Sequence, residues 1–150
     1  MEWMIMPLKR YADFNGRSRR TEFWMFQLLN VLVYGAVIVL MLSGVPWSAL
    51  NQAESGLPAD PGAMFWVGMV VLVFWALVTV VPNLAVTIRR LHDRNMSGWW
   101  YLGFVLVNFV PFVNLLASIA FLVLMCLPGT PGDNNFGGDP KDSDNLDVFA

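Results

Sequence analysis

The residues with the most chemical potential lie in one short segment, RRLHD, at positions 89–93. On a helix, Arg89, His92 and Asp93 share one face at spacings i, i+3 and i+4, and Arg89 is placed to pair with Asp93. His92 is the only histidine of the chain, and Cys126 is the only cysteine. A zinc or iron site needs three or four ligands, and a nucleophilic site needs a base beside the nucleophile. The segment therefore predicts no metal site, no bound cofactor and no enzyme.

A second basic segment, GRSRR, lies at positions 16–20. The planar guanidinium of arginine binds phosphate oxygens through paired hydrogen bonds, and basic pockets between helices bind anionic lipid headgroups. If the two segments pack side by side, they form one patch, with Glu22, His92 and Asp93 as its supporting residues. Two acids leave a surplus of positive charge for an anionic headgroup or for an acidic or phosphorylated partner. The arginines predicted to bind this ligand are Arg17, Arg19, Arg20, Arg89, Arg90 and Arg94.

Three long apolar segments must position these two motifs. Hydrophobic residues make up 57% of the 150 residues and charged residues only 13%, whereas charged residues are about 25% of a soluble domain. A helix of about 20 apolar residues spans a bilayer. The segments 23–44, 64–88 and 99–127 reach that length without an Asp, Glu, Lys, Arg or His. The sequence predicts an all-α integral membrane protein, a small bundle in one membrane domain.

The positions of the basic residues predict how the chain is oriented. Of the nine Lys and Arg residues, five precede segment 23–44 and three follow segment 64–88, whereas the predicted external loop 45–63 has none. Basic residues concentrate on the cytoplasmic side of membrane proteins. The N-terminus and the RRLHD loop at 89–98 are therefore predicted to be cytoplasmic. The alternative to headgroup binding is that these arginines only fix the orientation.

The third apolar segment, 99–127, is too long for one straight span. Its length corresponds to a helix of about 44 Å, against a hydrocarbon core of about 30 Å, and Pro111 in its middle disrupts helical hydrogen bonding. It is either one kinked span or a hairpin that makes four helices in all and returns the chain to the cytoplasm, and the nearby asparagines favour the hairpin. Outside the spans, residues 1–14 are predicted to form an interfacial amphipathic helix, and residues 128–150 a turn-rich acidic tail.

Amide and hydroxyl side chains inside the apolar segments suggest an alternative function. Polar groups within a bilayer are costly and often functional, so a small oligomeric transporter or channel component is the second hypothesis. Otherwise they form hydrogen bonds between helices, worth about 0.6–2 kcal/mol each. By the helical rise, Asn30 and Asn83 are predicted to lie at one depth beside a kink at Pro82. The amides singled out are Asn30, Asn83, Asn108 and Asn114.

Three motifs also occur in the order of a known family. They are FNGRSRRTEFW at 14–24, RRLHD followed by SGWW at 89–100, and PGTPGDNNFG at 128–137. Together they resemble the F-x-G-R-x-x-R-x-E-[FY]-W, R-R-L-H-D-x-x-x-S-G-W-W and P-G-x-x-G-x-N-x-[FY]-G motifs of the bacterial domain of unknown function 805 family, the YhaH-like inner-membrane proteins. The resemblance implies a small multi-pass protein of the bacterial inner membrane and implies no biochemical activity.

The partners expected from these observations are membrane lipids, above all anionic ones, because the basic motifs lie at the ends of apolar spans. A second copy of the chain or another membrane protein stays an open alternative. We expect no nucleic acid and no cofactor as partners.

Overall fold

The computed structural model describes residues 2–47 and 60–141. Most of the predicted external loop 45–63 and the end of the predicted tail lie outside the described residues. Within the described part the chain is all-α and has no strand, which confirms the all-α part of the predicted fold class. Its helices are α1 (Glu2–Lys9), α2 (Arg20–Ser43), α3 (Ala63–Asp93), α4 (Trp99–Val107) and α5 (Val113–Cys126).

Helices α2 and α3 are long and apolar enough to cross a membrane, with 24 and 31 residues. At a rise of 1.5 Å per residue they measure about 36 and 46 Å, more than the roughly 30 Å of a hydrocarbon core. Their large apolar side chains are mostly exposed, among them Val31, Phe74 and Leu77. Lipid tails are as apolar as leucine, so helices that lie in a bilayer have no need to bury such side chains.

Two compact units divide the described chain. The helix-pair unit comprises Gln27–Val80, and the cluster unit comprises Met1–Phe26 with Val81–Ala150. In the helix-pair unit the end of α2 meets the start of α3, where the backbone N–H of Gly62 donates to the Gly44 carbonyl at 2.8 Å. A Cβ at Gly68 would lie 2.3 Å from Met41 Cγ, so this glycine allows the close approach that small residues provide between membrane helices.

Helix α3 extends beyond the predicted span 64–88. The RRLHD segment forms its last turns, so the predicted loop 89–98 is shortened to 94–98. Asn95, with φ of 54°, ends the helix: Asn95 N–H donates to His92 O at 2.9 Å and Met96 N–H to Leu91 O at 3.0 Å. This is the Schellman pattern, in which a left-handed residue satisfies the last carbonyls. Pro82 lies inside α3, and the helix continues through it.

The third apolar segment is divided into two helices at Pro111. Phe121 of α5 lies against the rings of Tyr101 and Phe104 of α4, at centroid distances of 6.2 and 5.3 Å. The chain therefore reverses between the two helices, which have 9 and 14 residues. Each is shorter than the roughly 20 residues that span a bilayer. Helices α4 and α5 thus lie side by side; that they form a hairpin within the membrane, and the side on which the chain ends, stay predictions.

Helix α1 ends at Lys9 and is shorter than the predicted helix 1–14. Pro7 lies in it and is buried, and the residues after Lys9 form turns. Trp3 supports the connection to α2, because the guanidinium carbon of Arg19 lies 5.5 Å from the centre of its ring. The placement of α1 at a membrane interface stays a prediction.

Candidate functional site

The three sequence motifs meet in the cluster unit. The backbone N–H of Ser18 donates to Arg89 O at 3.2 Å, and the N–H of Thr130 donates to Asp93 O at 2.8 Å. The end of α3 is thus joined on one side to the chain before α2 and on the other to the chain after α5. The five charged residues Arg17, Glu22, Arg89, Arg90 and Asp93, all buried, are called the buried ion-pair cluster below.

One half of the cluster is built on Glu22. Its Oε1 accepts from Arg89 Nη2 at 2.8 Å, and both side chains are fully buried. Its Oε2 accepts from Ser18 Oγ at 2.6 Å. Arg89 Nη1 also lies 3.8 Å from Asp13 Oδ2. The predicted pairing of Arg89 with Asp93 is wrong, because Arg89 faces Glu22, 67 residues away in sequence.

The other half is built on Asp93, which lies between two arginines. Arg17 donates from Nε to Oδ1 at 3.0 Å, and Arg90 donates to Oδ2 from the preceding turn of α3. The remaining nitrogens of Arg17 donate to the carbonyls of Gly132 and Thr130, each at 2.5 Å. A Cβ at Gly129 would lie 2.0 Å from Asp93 Oδ2, so only glycine fits here.

Charge balance explains why this cluster is tolerated in the interior. A buried charge is costly unless it is paired and hydrogen-bonded. Three buried arginines face two buried carboxylates, and the partly exposed Asp13 beside Arg89 offsets the excess. Partial burial raises the pKa of Asp13, but hydrogen bonds from Arg10 and from the N–H of Asn15, with the charges of Arg10 and Arg89, bring its pKa below the ordinary 3.8.

The other predicted arginines lie at the rim of the cluster, and we call Arg19, Arg20 and Arg94 the rim arginines. Arg20 is exposed and donates from Nη1 to the Cys126 carbonyl at 3.2 Å. Arg94 donates from Nη1 to the Pro128 carbonyl at 2.5 Å. Arg19 donates from Nε to the Pro140 carbonyl. The structure thus separates the six predicted arginines into a buried group and a rim group.

The chain after α5 contributes residues that the sequence did not single out. The ring of His92 stacks on Phe136 at a centroid distance of 4.0 Å, and His92 Nδ1 lies 3.3 Å from Gly16 O. Asn134 Nδ2 donates to His92 O at 2.8 Å and to Thr130 Oγ1 at 3.0 Å. In the sequence, the only indication of a role for Phe136, Asn134 and Thr130 is that they lie in the third motif.

This site offers little to a metal ion. Within residues 2–47 and 60–141, no three His, Cys, Asp or Glu side chains come together in a way that could hold one. Cys126 is a free, exposed thiol at the end of α5. Both oxygens of Asp93 accept from arginines, and the ring of His92 faces Gly16 O and Phe136. This arrangement does not favour metal coordination by either side chain.

The in-membrane amides have local partners. Trp75 Nε1 donates to Asn30 Oδ1 at 3.2 Å within the helix-pair unit. In the cluster unit, Asn108 Oδ1 accepts from Ser118 Oγ at 3.1 Å, and Asn114 Oδ1 accepts from the next backbone N–H. The carbonyl of Asn83 accepts from Thr87 Oγ1 at 2.7 Å. That Asn30 and Asn83 lie at one depth stays a prediction.

Comparison with known proteins places these motifs in a wider group. The model of the family described as "Protein of unknown function (DUF805)" matches residues 11–138. Inner membrane protein YhaI of Escherichia coli K12 is 40% identical over 141 residues, covering 94% of this chain and 97% of YhaI. Inner membrane protein YhaH of the same strain is 38% identical, covering 94% and 98%. The uncharacterized protein YiiR is 25% identical, covering 87% of each chain. No solved structure matches the chain.

Proposed function

The chain belongs to the DUF805 family, whose members YhaI and YhaH are inner-membrane proteins, and we propose that it is a non-enzymatic lipid-binding module. In this proposal the rim arginines Arg20 and Arg94 bind the phosphate groups of anionic lipids at the cytoplasmic leaflet. The buried ion-pair cluster holds the surrounding segments together and does not itself contact the lipid. The proposal narrows the predicted ligand-binding set of six arginines to Arg20 and Arg94.

The observation that carries the proposal is the difference in how the arginines use their donors. Arg17 donates to Asp93, Gly132 and Thr130, so its N–H groups are already used inside the protein. Arg20 and Arg94 each have one hydrogen bond to a carbonyl at or just after the end of α5. Among the described residues, Arg20 Nε and Nη2 and Arg94 Nη2 have no further acceptor.

Arg20 and Arg94 contact the same short stretch of chain at the end of α5. Their acceptors, the carbonyls of Cys126 and Pro128, are two residues apart. Arg90 contacts the same stretch through the carbonyls of Met125 and Leu127. A phosphate has several oxygens and accepts from two guanidinium groups at once. In the proposal, Arg20 and Arg94 share one headgroup phosphate in this way.

Orientation enters the proposal through the positive-inside rule. Eight of the nine basic residues lie before α2 or at its first residue, at the end of α3 or just after it, and such residues concentrate in the cytoplasm. The chain after α5 is hydrogen-bonded to the end of α3. The tail is therefore expected on the same side as the N-terminus, which agrees with a hairpin of α4 and α5.

The alternative function, a transporter or channel component, has less support. Its candidate residues were Asn, Gln and Thr side chains within the spans. Asn30, Asn108 and Asn114 have hydrogen-bond partners nearby in their own units. The bonds of Asn30 and Asn108 join two segments, as the hydrogen bonds that hold membrane helices together do, and Asn114 accepts from the next backbone N–H. The contacts favour the structural interpretation of these residues.

Lipid retention tests the proposed function. The rim variant, Arg20→Gln with Arg94→Gln, removes the two charges of the proposed site. Lys9→Gln with Lys141→Gln is the matched control, because it removes two positive charges elsewhere. Each basic residue near an anionic membrane contributes about 1 kcal/mol, so loss of two should reduce retention of phosphatidylglycerol about thirtyfold. Native mass spectrometry of gently extracted protein measures the bound lipid. Equal retention by the rim variant and the control would contradict the proposal.

A further inference from the structure

An apolar groove with a volume of about 590 Å³ lies between the second half of α3 and α4. Leu84 and Ile88 line it from α3, and Leu102 and Val105 line it from α4. Its volume falls within the roughly 300–1,000 Å³ that is typical of sites for small organic ligands. All four side chains are aliphatic, so the groove excludes ligands that are polar along their length.

One end of the groove is polar, since His92 and Ser97 line it there. The neighbour of His92 Nδ1 is the carbonyl of Gly16, which can only accept, so Nδ1 carries the proton. In the neutral ring Nε2 is then an acceptor. Within the described part of the chain Nε2 has no hydrogen-bond partner. Ser97 Oγ accepts from the N–H of Trp99 at 3.4 Å and keeps its own hydroxyl proton to donate.

We propose that this groove binds a glycerophospholipid, with one acyl chain between α3 and α4 and a donor-bearing headgroup at His92 and Ser97. The ligand must be apolar over most of its length and polar at one end, and the surrounding bilayer supplies molecules of that kind. His92 Nε2 accepts from a headgroup ammonium or hydroxyl, and the Ser97 hydroxyl donates to an ester or phosphate oxygen. Trp99 also lines the groove, and tryptophan prefers the headgroup level of a membrane.

This inference goes beyond the proposed function, because it concerns the acyl chain and a headgroup donor rather than headgroup charge. Three lipids separate the two ideas. Phosphatidylglycerol is anionic and carries hydroxyl donors, phosphatidylethanolamine is zwitterionic and carries an ammonium donor, and phosphatidylcholine is zwitterionic without a donor. The rim arginines predict a preference for phosphatidylglycerol over both others. The groove predicts a preference for phosphatidylethanolamine over phosphatidylcholine.

The test uses the full chain in vesicles of each composition, followed by native mass spectrometry. Wild type should retain about fivefold more phosphatidylethanolamine than phosphatidylcholine, as one hydrogen bond of about 1 kcal/mol implies. Leu102→Trp fills the groove, and Leu106→Trp on the same helix does not line it and serves as the control. Leu102→Trp should lower retention of phosphatidylethanolamine at least fivefold and leave the phosphatidylglycerol held at Arg20 and Arg94, while Leu106→Trp should lower neither.

Photo-cross-linking supplies a measurement without substitutions. Phosphatidylethanolamine with a diazirine in its acyl chain should label residues 84–105 of wild type more strongly than the exposed Leu115 and Leu116 of α5. Equal labelling of both regions, or equal retention by Leu102→Trp and Leu106→Trp, would overturn the groove site. Either result would leave the proposed function standing if the rim variant still loses its preference for phosphatidylglycerol. Equal retention of phosphatidylethanolamine and phosphatidylcholine by wild type would overturn the role of His92 as a headgroup acceptor.

Discussion

Helices α2 and α3 each pass through both compact units, and what they bury differs between the two. In the helix-pair unit, large apolar side chains such as Phe74 and Leu77 are 65% and 67% exposed, and few side chains are buried. In the cluster unit, Glu22, Arg89 and Arg90 are fully buried although all three are charged. A soluble domain would have the opposite distribution, with apolar residues inside and charged residues outside.

This difference in burial follows from the environment of each part of the chain. Leucine gains little by leaving lipid for a protein interior, because the two are equally apolar. A charged side chain in an apolar environment must instead find its partner, since an unpaired buried charge is costly. The cluster unit therefore depends on specific pairs such as Arg89 with Glu22, whereas the helix-pair unit depends on length and overall apolarity. Substitutions should have very different effects in the two units.

The largest effect is expected from Glu22→Gln. Breaking a buried ion pair by changing one partner costs about 3–5 kcal/mol, and Glu22 accepts from both Arg89 and Ser18. The matched control is Glu2→Gln, which makes the same change at an exposed residue of α1. Denaturant unfolding in detergent, followed by circular dichroism, measures both. Equal stability of the two variants would show that the buried ion-pair cluster does not stabilise the fold.

The next effect compares two glycines, one from each unit. Gly129→Ala places a methyl group where Asp93 Oδ2 lies 2.0 Å away, whereas a Cβ at Gly35 meets nothing within 4 Å. Overpacking typically costs about 1–3 kcal/mol, while alanine in a helix is favoured over glycine by about 1 kcal/mol. Gly129→Ala should therefore lower the unfolding midpoint and Gly35→Ala should raise it or leave it unchanged. A loss of stability at Gly35 as large as that at Gly129 would contradict the comparison.

The sequence predicted the parts of the fold that depend on local pattern. Segment 64–88 lies within α3, and segment 23–44 lies within α2 except for its last residue, because apolar length alone specifies both helices. Spacing along a helix shows which residues share a face, but it does not show which residue from a distant part of the chain pairs with them. Asp93 pairs with Arg17, which is 76 residues away in sequence, and Arg89 pairs with Glu22 instead.

The role of the chain after α5 was the least accessible from sequence. Its glycines and prolines predict turns, and turns satisfy few of their own carbonyls. Five arginines donate to backbone carbonyls between Met125 and Pro140, and this requires them to approach in three dimensions. No periodicity or spacing encodes such contacts, because the acceptor is the backbone and every residue has one. The segment predicted to be an acidic tail is therefore, up to Lys141, part of the candidate site.

The smallest effect is expected from pH, acting on Asp13 at the edge of the cluster unit. The folded pKa of Asp13 is below its ordinary value of 3.8, because the interactions with Arg10, the N–H of Asn15 and Arg89 outweigh partial burial. A carboxyl whose pKa is lowered by folding stabilises the protein above its unfolded pKa, and that contribution is lost as the pH falls through the folded pKa. Asp13 is more than a third exposed, so solvent screening limits its contribution to less than about 1 kcal/mol.

Asp13→Asn should thus be slightly less stable than wild type at pH 6, and the difference should disappear below pH 3.8 as Asp13 of the wild type becomes protonated. Thermal unfolding of both proteins in detergent across this range isolates Asp13 from the other carboxylates, since their titration is common to both. A difference between the two proteins that stays constant with pH would mean that the charge of Asp13 contributes nothing to the cluster.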